Sequence, residues 1–227
     1  DSTNVFTPHA GKSEATVGPE IERVVRDASG MVVATTFASN IARVKTLADA
    51  GVAAGRSVVL LGRAMKKMIG AGVETGLIKD FPATISPEEA RDVPRAHLML
   101  MATGSQGERR AASAQLSRGK FQGLEMKSGD TFLVSSKTIP GNEVSVGRIV
   151  NALSEMDVDV IDDKMADIHV SGHANRPDLQ RMHALTNPQI LVPMHGEHRM
   201  LREHAKLGEG AGIASVVAPN GTMVALT

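Results

Sequence analysis

Residues 193–204 read PMHGEHRMLREH, which puts His195, His198 and His204 within ten residues, with Glu197 and Glu203 among them. Imidazole and carboxylate are the donors left for zinc in a chain without cysteine, and this chain has none. The spacing is not that of H-E-x-x-H, whose two histidines share one helix face. His195 is the strongest metal-ligand candidate. It closes the apolar run QILVPM and precedes Gly196, so it falls at the carboxyl edge of an expected strand beside a Gly-permitted turn. His198 and His204 follow among Arg199, Arg202, Glu203 and Lys206, a pattern that places both on a solvated helix face. One histidine fills one of the roughly four positions zinc demands, so this stretch is not a self-contained metal site.

His169 and His173 lie in IHVSGHA, four apart but on a strand and loop rather than a helix face. Ser171-Gly172-His173 reads as a phosphate-holding or acid–base element, with a structural histidine bonded to a backbone carbonyl as the alternative. His9, His97 and His183 carry no such signal and read as structural or exposed. Asp1, in DSTN, reads locally as a cap or turn residue.

A regular alternation must position these groups. Apolar runs at 31–37, 57–62, 97–104, 130–136 and 158–162 read as buried strands. Helical patterns separate them: SNIARVKTLADAGVAAG, capped by Ser39 or Asn40 with Ile41, Val44, Leu47 and Ala48 on one face; AMKKMIGAGVETG; GERRAASAQLSRG; and EVSVGRIVNALSEMD. Strand–helix alternation predicts an α/β fold with a doubly wound, mostly parallel sheet. Four strands run into polar or Gly-containing segments, at 37–40, 62–63, 103–108 and 135–142. Ligands of open parallel sheets bind outside the carboxyl ends of strands, and glycine lets backbone approach phosphate, so together these segments predict a polar, phosphate-friendly rim. Beyond residue 165, IHVSGH and QILVPMHGE read as strands, PDLQRMHALTN (Pro177 near its start) and RMLREHAKLGEGAG as helices, and SVVAPNGTMVALT as a hairpin turning at Asn220-Gly221. Residues 6–19 read as a connector.

Composition narrows the classes. Lys+Arg and Asp+Glu both total 25, so no global basic field advertises nucleic acid, and any such binding relies on a local groove. With five Phe, no Trp, no Tyr and twelve Met, methionine and aliphatic side chains must fill the core. The absence of cysteine excludes thiolate sites and suits a cytoplasmic setting. No run of about 18 apolar residues predicts a membrane span. The start at Asp1 reads as the middle of a longer protein.

The stretches DSTNVFTPHAGKSE, ATTFASNIARV, GVAAGRSVVLLGRAM, MATGSQGE, GDTFLVSSKTIPGNE, IHVSGHANRPDLQRM, PMHGEHRMLREHAKLGEGAGI and APNGTMVAL, in that order, resemble the bacterial ribonuclease J family, in the β-CASP branch of the metallo-β-lactamase superfamily. The resemblance covers essentially the whole chain. It implies a 5′-to-3′ exoribonuclease with endonuclease activity in RNA decay and maturation, rRNA processing included. It further implies single-stranded RNA with a 5′-monophosphate as substrate, two zinc ions and a homo-oligomer in the complete enzyme. By the same resemblance, Asp1 matches motif A, His173 motif B and His195 the zinc-binding histidine of motif C. His173 would be the proton donor to the leaving 3′-oxygen, oriented by Asp1. Phe37, Ser39, Asn40, Arg63, Gly104, Ser105, Gln106, Gly107, Ser135, Ser136, Gly141, His169 and Ser171 would line the RNA or its 5′-phosphate; a core role for Phe37 is the alternative. Residues 15–171 would be the β-CASP domain, with 1–14 and 172–227 belonging to a metallo-β-lactamase domain.

The family's H-x-H-x-D-H motif, its later zinc-site histidine and bridging aspartate and its C-terminal domain are absent from these residues, so at most one zinc ligand, His195, is expected here and the isolated chain is expected to be inactive. Ala64 replaces a serine common in the family, which puts one polar rim contact in doubt, and Arg109-Arg110 replaces a Pro-containing stretch. The alternatives are a catalytically incomplete RNA- or partner-binding module, a nucleotide enzyme (disfavoured because MATGSQGE lacks G-x-G-x-x-G spacing), and DNA in place of RNA.

Overall fold

A computed structural model describes residues 1–225. The chain divides into two compact units, Glu14–His169 and Asp1–Ser13 with Val170–Thr227.

The larger unit opens with α1 (Gly18–Asp27), which the sequence reading left unassigned. Its signals are Pro19 in the first turn and Ile21, Val24 and Val25, buried at helical spacing. Then come β1 (Val32–Thr35), α2 (Ile41–Ala53), β2 (Ser57–Leu61), α3 (Arg63–Glu74) and β3 (Leu98–Ala102). They are followed by the short α4 (Ala112–Leu116), the two-residue β4 (Lys120–Phe121) and β5 (Leu124–Glu125), β6 (Thr131–Val134), α5 (Glu143–Ser154) and β7 (Asp159–Ile161). Strands β2-β3-β1-β6-β7 form one wholly parallel sheet in that order, in register Val33↔Leu100 and Val33↔Phe132. Strand β1 is buried at every residue, as expected of a central parallel strand covered on both faces. Chain order reverses between β1, whose crossover runs to β2, and β6, whose crossover runs to β7. That is the topological switch point of the sheet.

The helix start at Asn40 has the predicted chemistry: its side chain accepts the Arg43 N–H at 3.1 Å. The stretch GERRAASAQLSRG yields only the five residues of α4; residues 107–111 are irregular backbone with a turn at 109–110.

Buried charges fasten the sheet. Arg43, fully buried, donates to both carboxylate oxygens of Glu14 (2.6 and 2.7 Å), the Ser135 hydroxyl (2.8 Å) and the Ile168 carbonyl (2.7 Å). Arg56 donates to the carbonyls of Val25, Ala28, Gly30 and Leu98, which include orphan acceptors at the end of α1. Asp130, 1% exposed, accepts the N–H groups of Met31 and Lys127 and the Arg95 guanidinium.

The smaller unit holds α6 (Arg176–Thr186), β8 (Ile190–Leu191), α7 (His198–Gly210) and β9 (Ala214–Ser215), with β8 and β9 parallel. Val5, Leu179 and Leu207 make its buried core, flanked by Ala174 and Met200. Three strand expectations need correction. IHVSGH is irregular backbone rather than a strand, and QILVPMHGE is a strand only at Ile190–Leu191. Residues 219–222 make a turn closed by the Thr222 N–H on the Pro219 carbonyl, but no strands flank it within the described residues. The last two residues of that expected hairpin lie outside them. Among the described residues, no helix is long and apolar enough to cross a membrane.

Candidate active site

The site is assembled by the first four residues of the chain, all within the smaller unit. Asp1 Oδ2 lies 2.6 Å from His173 Nδ1, and Asp1 Oδ1 lies 3.4 Å from His195 Nδ1. The two imidazoles stack with centroids 5.4 Å apart and planes 24° from parallel. An ionised carboxylate only accepts, so Asp1 draws the ring proton of His173 to Nδ1 and fixes the tautomer. Asp1 is itself held by the Thr3 N–H on Oδ1 at 2.9 Å, the local turn that Asp favours.

The other three residues of DSTN each hold a neighbouring loop. Ser2 donates its N–H to the His195 carbonyl at 3.0 Å and its hydroxyl to the Met194 carbonyl at 2.9 Å. Thr3 Oγ1 lies 3.3 Å from both the carbonyl and Nδ1 of His195. Asn4 donates to Ser171 Oγ, to the His173 carbonyl and to Asn175 Oδ1, at 3.0–3.3 Å. Ser171 Oγ also takes the His173 N–H at 3.2 Å, so this hydroxyl shapes the turn that presents His173. Asn175 begins α6, its N–H bonded to Asp178 Oδ2 at 3.0 Å, which anchors the far end of that loop.

His195 occupies the left-handed region, with φ of 55°. A non-glycine residue there costs about 1–3 kcal/mol and persists only where surrounding contacts impose it. The Ser2 and Thr3 bonds are such contacts. The sequence reading assigned the special backbone to Gly196. The structure assigns it to His195, and gives Gly196 a different reason: a Cβ there would lie 3.1 Å from Met200 Cβ and 3.2 Å from Ser2 Cβ.

Ligand-type atoms of Asp1, His173 and His195 all lie within 4.8 Å of one another. One carboxylate and two imidazoles match the donor preference of zinc in a thiol-free site. The Asp1–His195 Nδ1 approach also matches the carboxylate–histidine pairing that orients a metal-binding imidazole from behind. The cluster thus brings two further donor-type side chains, Asp1 and His173, beside His195, the one ligand expected from the sequence.

Of the expected RNA contacts, several serve the larger unit internally. Ser135 is 1% exposed; its hydroxyl donates to the Ile168 carbonyl (2.8 Å) and accepts from Arg43. It is an interior fastener rather than part of a rim. Gln106, 8% exposed, bonds the Lys137 carbonyl (3.0 Å), the Ile139 N–H (2.8 Å) and the Asn142 amide (3.2 Å), tying the 104–107 loop to the 137–142 loop. Gly104 and Gly107 have φ of 110° and 77°, and a Cβ on either would strike Ser113 or Ser145. These glycines admit the neighbouring chain. Ser105 is buried, and the Asn40 side chain caps α2. Ser39, Arg63 and Gly141 are exposed and Phe37 is half-buried. Ser136 is buried with a hydroxyl that lacks a hydrogen-bond partner. His169 is half-buried with an unpartnered Nδ1; burial, then the charge of Arg43, pushes its imidazole pKa down.

One histidine contradicts the sequence reading: His204, expected on a solvated face, is 4% exposed. His183, read as structural or exposed, is 6% exposed and takes the structural role. Their rings stack at 5.1 Å. Helical periodicity held the clue: Leu201, His204, Ala205 and Gly208 form one buried stripe of α7. His198 is exposed, as expected.

The family model for the ribonuclease J beta-CASP domain matches residues 29–153, and that for the Zn-dependent metallo-hydrolase RNA specificity domain matches residues 158–219. Relatives named Ribonuclease J from Sinorhizobium meliloti and Ribonuclease J 1 from Streptococcus pyogenes are 41% and 38% identical. Each alignment covers 100% of this chain, but 40% and 41% of the respective relative. Ribonuclease J of Mycolicibacterium smegmatis is 38% identical, again over 100% of this chain and 41% of the relative. The chain thus spans about two fifths of the length of these relatives.

Proposed function

The chain belongs to the ribonuclease J family, and from that premise we propose that it supplies the RNA-holding β-CASP domain and part of the active site of a zinc-dependent ribonuclease. Residues 15–171 would form the β-CASP domain, and 1–14 with 172–227 a portion of the metallo-β-lactamase domain. The activity would be 5′-to-3′ exonucleolytic with an endonucleolytic component, on single-stranded RNA bearing a 5′-monophosphate. The same reading makes the complete enzyme a cytoplasmic homo-oligomer acting in RNA decay and maturation.

The observation that carries this reading is the Asp1–His173–His195 cluster, in which a single carboxylate meets Nδ1 of both imidazoles. His195 would hold metal through Nε2, with Asp1 and Thr3 setting its ring from behind. Zinc, when bound, supplies Lewis-acid polarisation of the scissile phosphate. His173 has the other role. With Asp1 on Nδ1, its protonated ring donates from Nε2 to the 3′-oxygen as water adds to phosphorus and the P–O3′ bond breaks. Asp1 stabilises the imidazolium and keeps its plane fixed, as a carboxylate does behind a general acid–base histidine. Exposed Arg63 and Ser39, with half-buried Phe37, remain the side chains for backbone contact and base stacking.

In a full-length ribonuclease J carrying this sequence, His173→Ala should lower kcat on 5′-monophosphorylated RNA by about 10²–10⁴-fold. Unchanged turnover would reject the assignment. The coverage of only two fifths of its relatives favours a second reading for the chain in isolation, a module that binds RNA or a partner without turning it over. RNA binding with no cleavage, even after zinc is added, is the result that reading expects.

A further inference from the structure

His183 and His204 take no part in the chemistry above, yet they lie in a buried hydrogen-bonded line that ends at the residue before His195. The Nε2 atoms of the two rings are 3.1 Å apart, His204 Nδ1 is 2.9 Å from Ser2 Oγ, and Ser2 Oγ is 2.9 Å from the Met194 carbonyl. The direction of every proton follows from elementary valence. A carbonyl only accepts, so the one hydroxyl proton of Ser2 goes to Met194. Ser2 Oγ must then accept from His204 Nδ1–H. That leaves a lone pair on His204 Nε2, which takes the Nε2–H of His183. One tautomer pattern satisfies all three contacts. It strands the His183 Nδ1 lone pair, and that atom is indeed buried without a hydrogen-bond partner.

Ser2 is the junction. It is fully buried, and it holds the carbonyls of Met194 and His195 together, one through its hydroxyl and one through its N–H. These are consecutive peptide groups, at the residue whose left-handed φ needs external support. We propose that His204 is a positioning residue for His195: by donating to Ser2 it orients the hydroxyl that clamps Met194, and so fixes the backbone from which the His195 ring reaches Asp1. His183 in turn locks the His204 tautomer. This rests on the reading of His195 as a metal ligand, and extends it to a layer behind the loop. The neutral state the line requires is consistent with burial, which holds both imidazoles below their ordinary pKa.

Two measurements on the chain test the proposal. Long-range ¹⁵N–¹H imidazole spectra near neutral pH should show His204 as the Nδ1–H tautomer and His183 as the Nε2–H tautomer; the reverse for His204 overturns the line. Zinc affinity, by competition with a chromophoric chelator, should fall about 10–100-fold in Ser2→Ala and in His204→Leu, with the His195 ring resonances displaced. His204→Asn, whose amide N–H replaces the Nδ1–H donor, should recover most of that loss, a rescue that lost packing alone would not give. If His204→Leu does not fold, Ser2→Ala removes the same link by deleting one oxygen. Ser2→Ala with wild-type zinc affinity and unmoved His195 resonances overturns the positioning role. His195→Ala separates the two readings: if it leaves zinc affinity unchanged, the ligand assignment fails, while the His195 resonances in Ser2→Ala still decide the positioning claim.

Discussion

Replacing His204 with leucine should remove a defined share of the acid sensitivity of the fold. The side chain is 4% exposed, and burial, followed by the adjacent His183, pushes its imidazole down to about 4 from the ordinary 6.5. The folded pKa is depressed, so between those values the unfolded chain binds the proton and the folded chain does not. Stability from this group is complete above pH 6.5 and drains away as pH falls toward 4. The two pKa values give a loss of about 2 kcal/mol by pH 5 and about 3 kcal/mol by pH 4. Urea unfolding of wild type and His204→Leu at about pH 7, 6 and 5 isolates the effect. The variant loses buried hydrogen bonds at every pH, so the informative quantity is the slope. Between pH 7 and 5, the wild type should lose about 2 kcal/mol more than the variant. Parallel slopes would show that His204 is not a buried neutral imidazole, and would remove the basis for its tautomer assignment.

Other outcomes follow from the same contacts. Arg43→Met should destabilise the larger unit by about 1–3 kcal/mol, seen as a lower midpoint in thermal or urea unfolding, because the Arg43 hydrogen bonds to Glu14, Ser135 and Ile168 are lost, although Ser135 still donates to Ile168. Gly104→Ala should cost about 1–3 kcal/mol by the same assays, since the new Cβ meets Ser113 at a φ that alanine adopts poorly. Metal analysis of the chain at neutral pH should find fewer than two tightly held zinc ions, because Asp1, His173 and His195 are the one group of three or more such donors among the described residues; two tight ions would refute that count.

The sheet was legible because each of its five strands is a short apolar run between helical patterns, and central parallel strands need no alternation to be recognised. Helix α1 was passed over because its apolar residues are few, although Pro19 and the Ile21/Val24/Val25 spacing mark it. Ser135, Gln106 and the glycines at 104 and 107 carry the residue types of a ligand rim, yet local sequence does not say whether a polar side chain faces solvent or a neighbouring loop. His204 shows the same limit: its charged neighbours suggested a wet helix face, while its position among Leu201, Ala205 and Gly208 put it inside. The motif resemblance singled out Asp1, His173 and His195, which are 172 to 194 positions apart along the chain or close to each other by 22. Their meeting depends on DSTN pairing with two distant loops, an outcome of tertiary contacts alone.

The central claim is that Asp1, His173 and His195 form one site with divided duties. The most direct test is to measure zinc content and single-turnover cleavage of 5′-monophosphorylated RNA together, in full-length enzyme bearing His173→Ala or His195→Ala. His195→Ala should lose both metal and cleavage, whereas His173→Ala should keep its metal and lose cleavage. Retained cleavage in His173→Ala, or full metal retention in His195→Ala, would contradict the account.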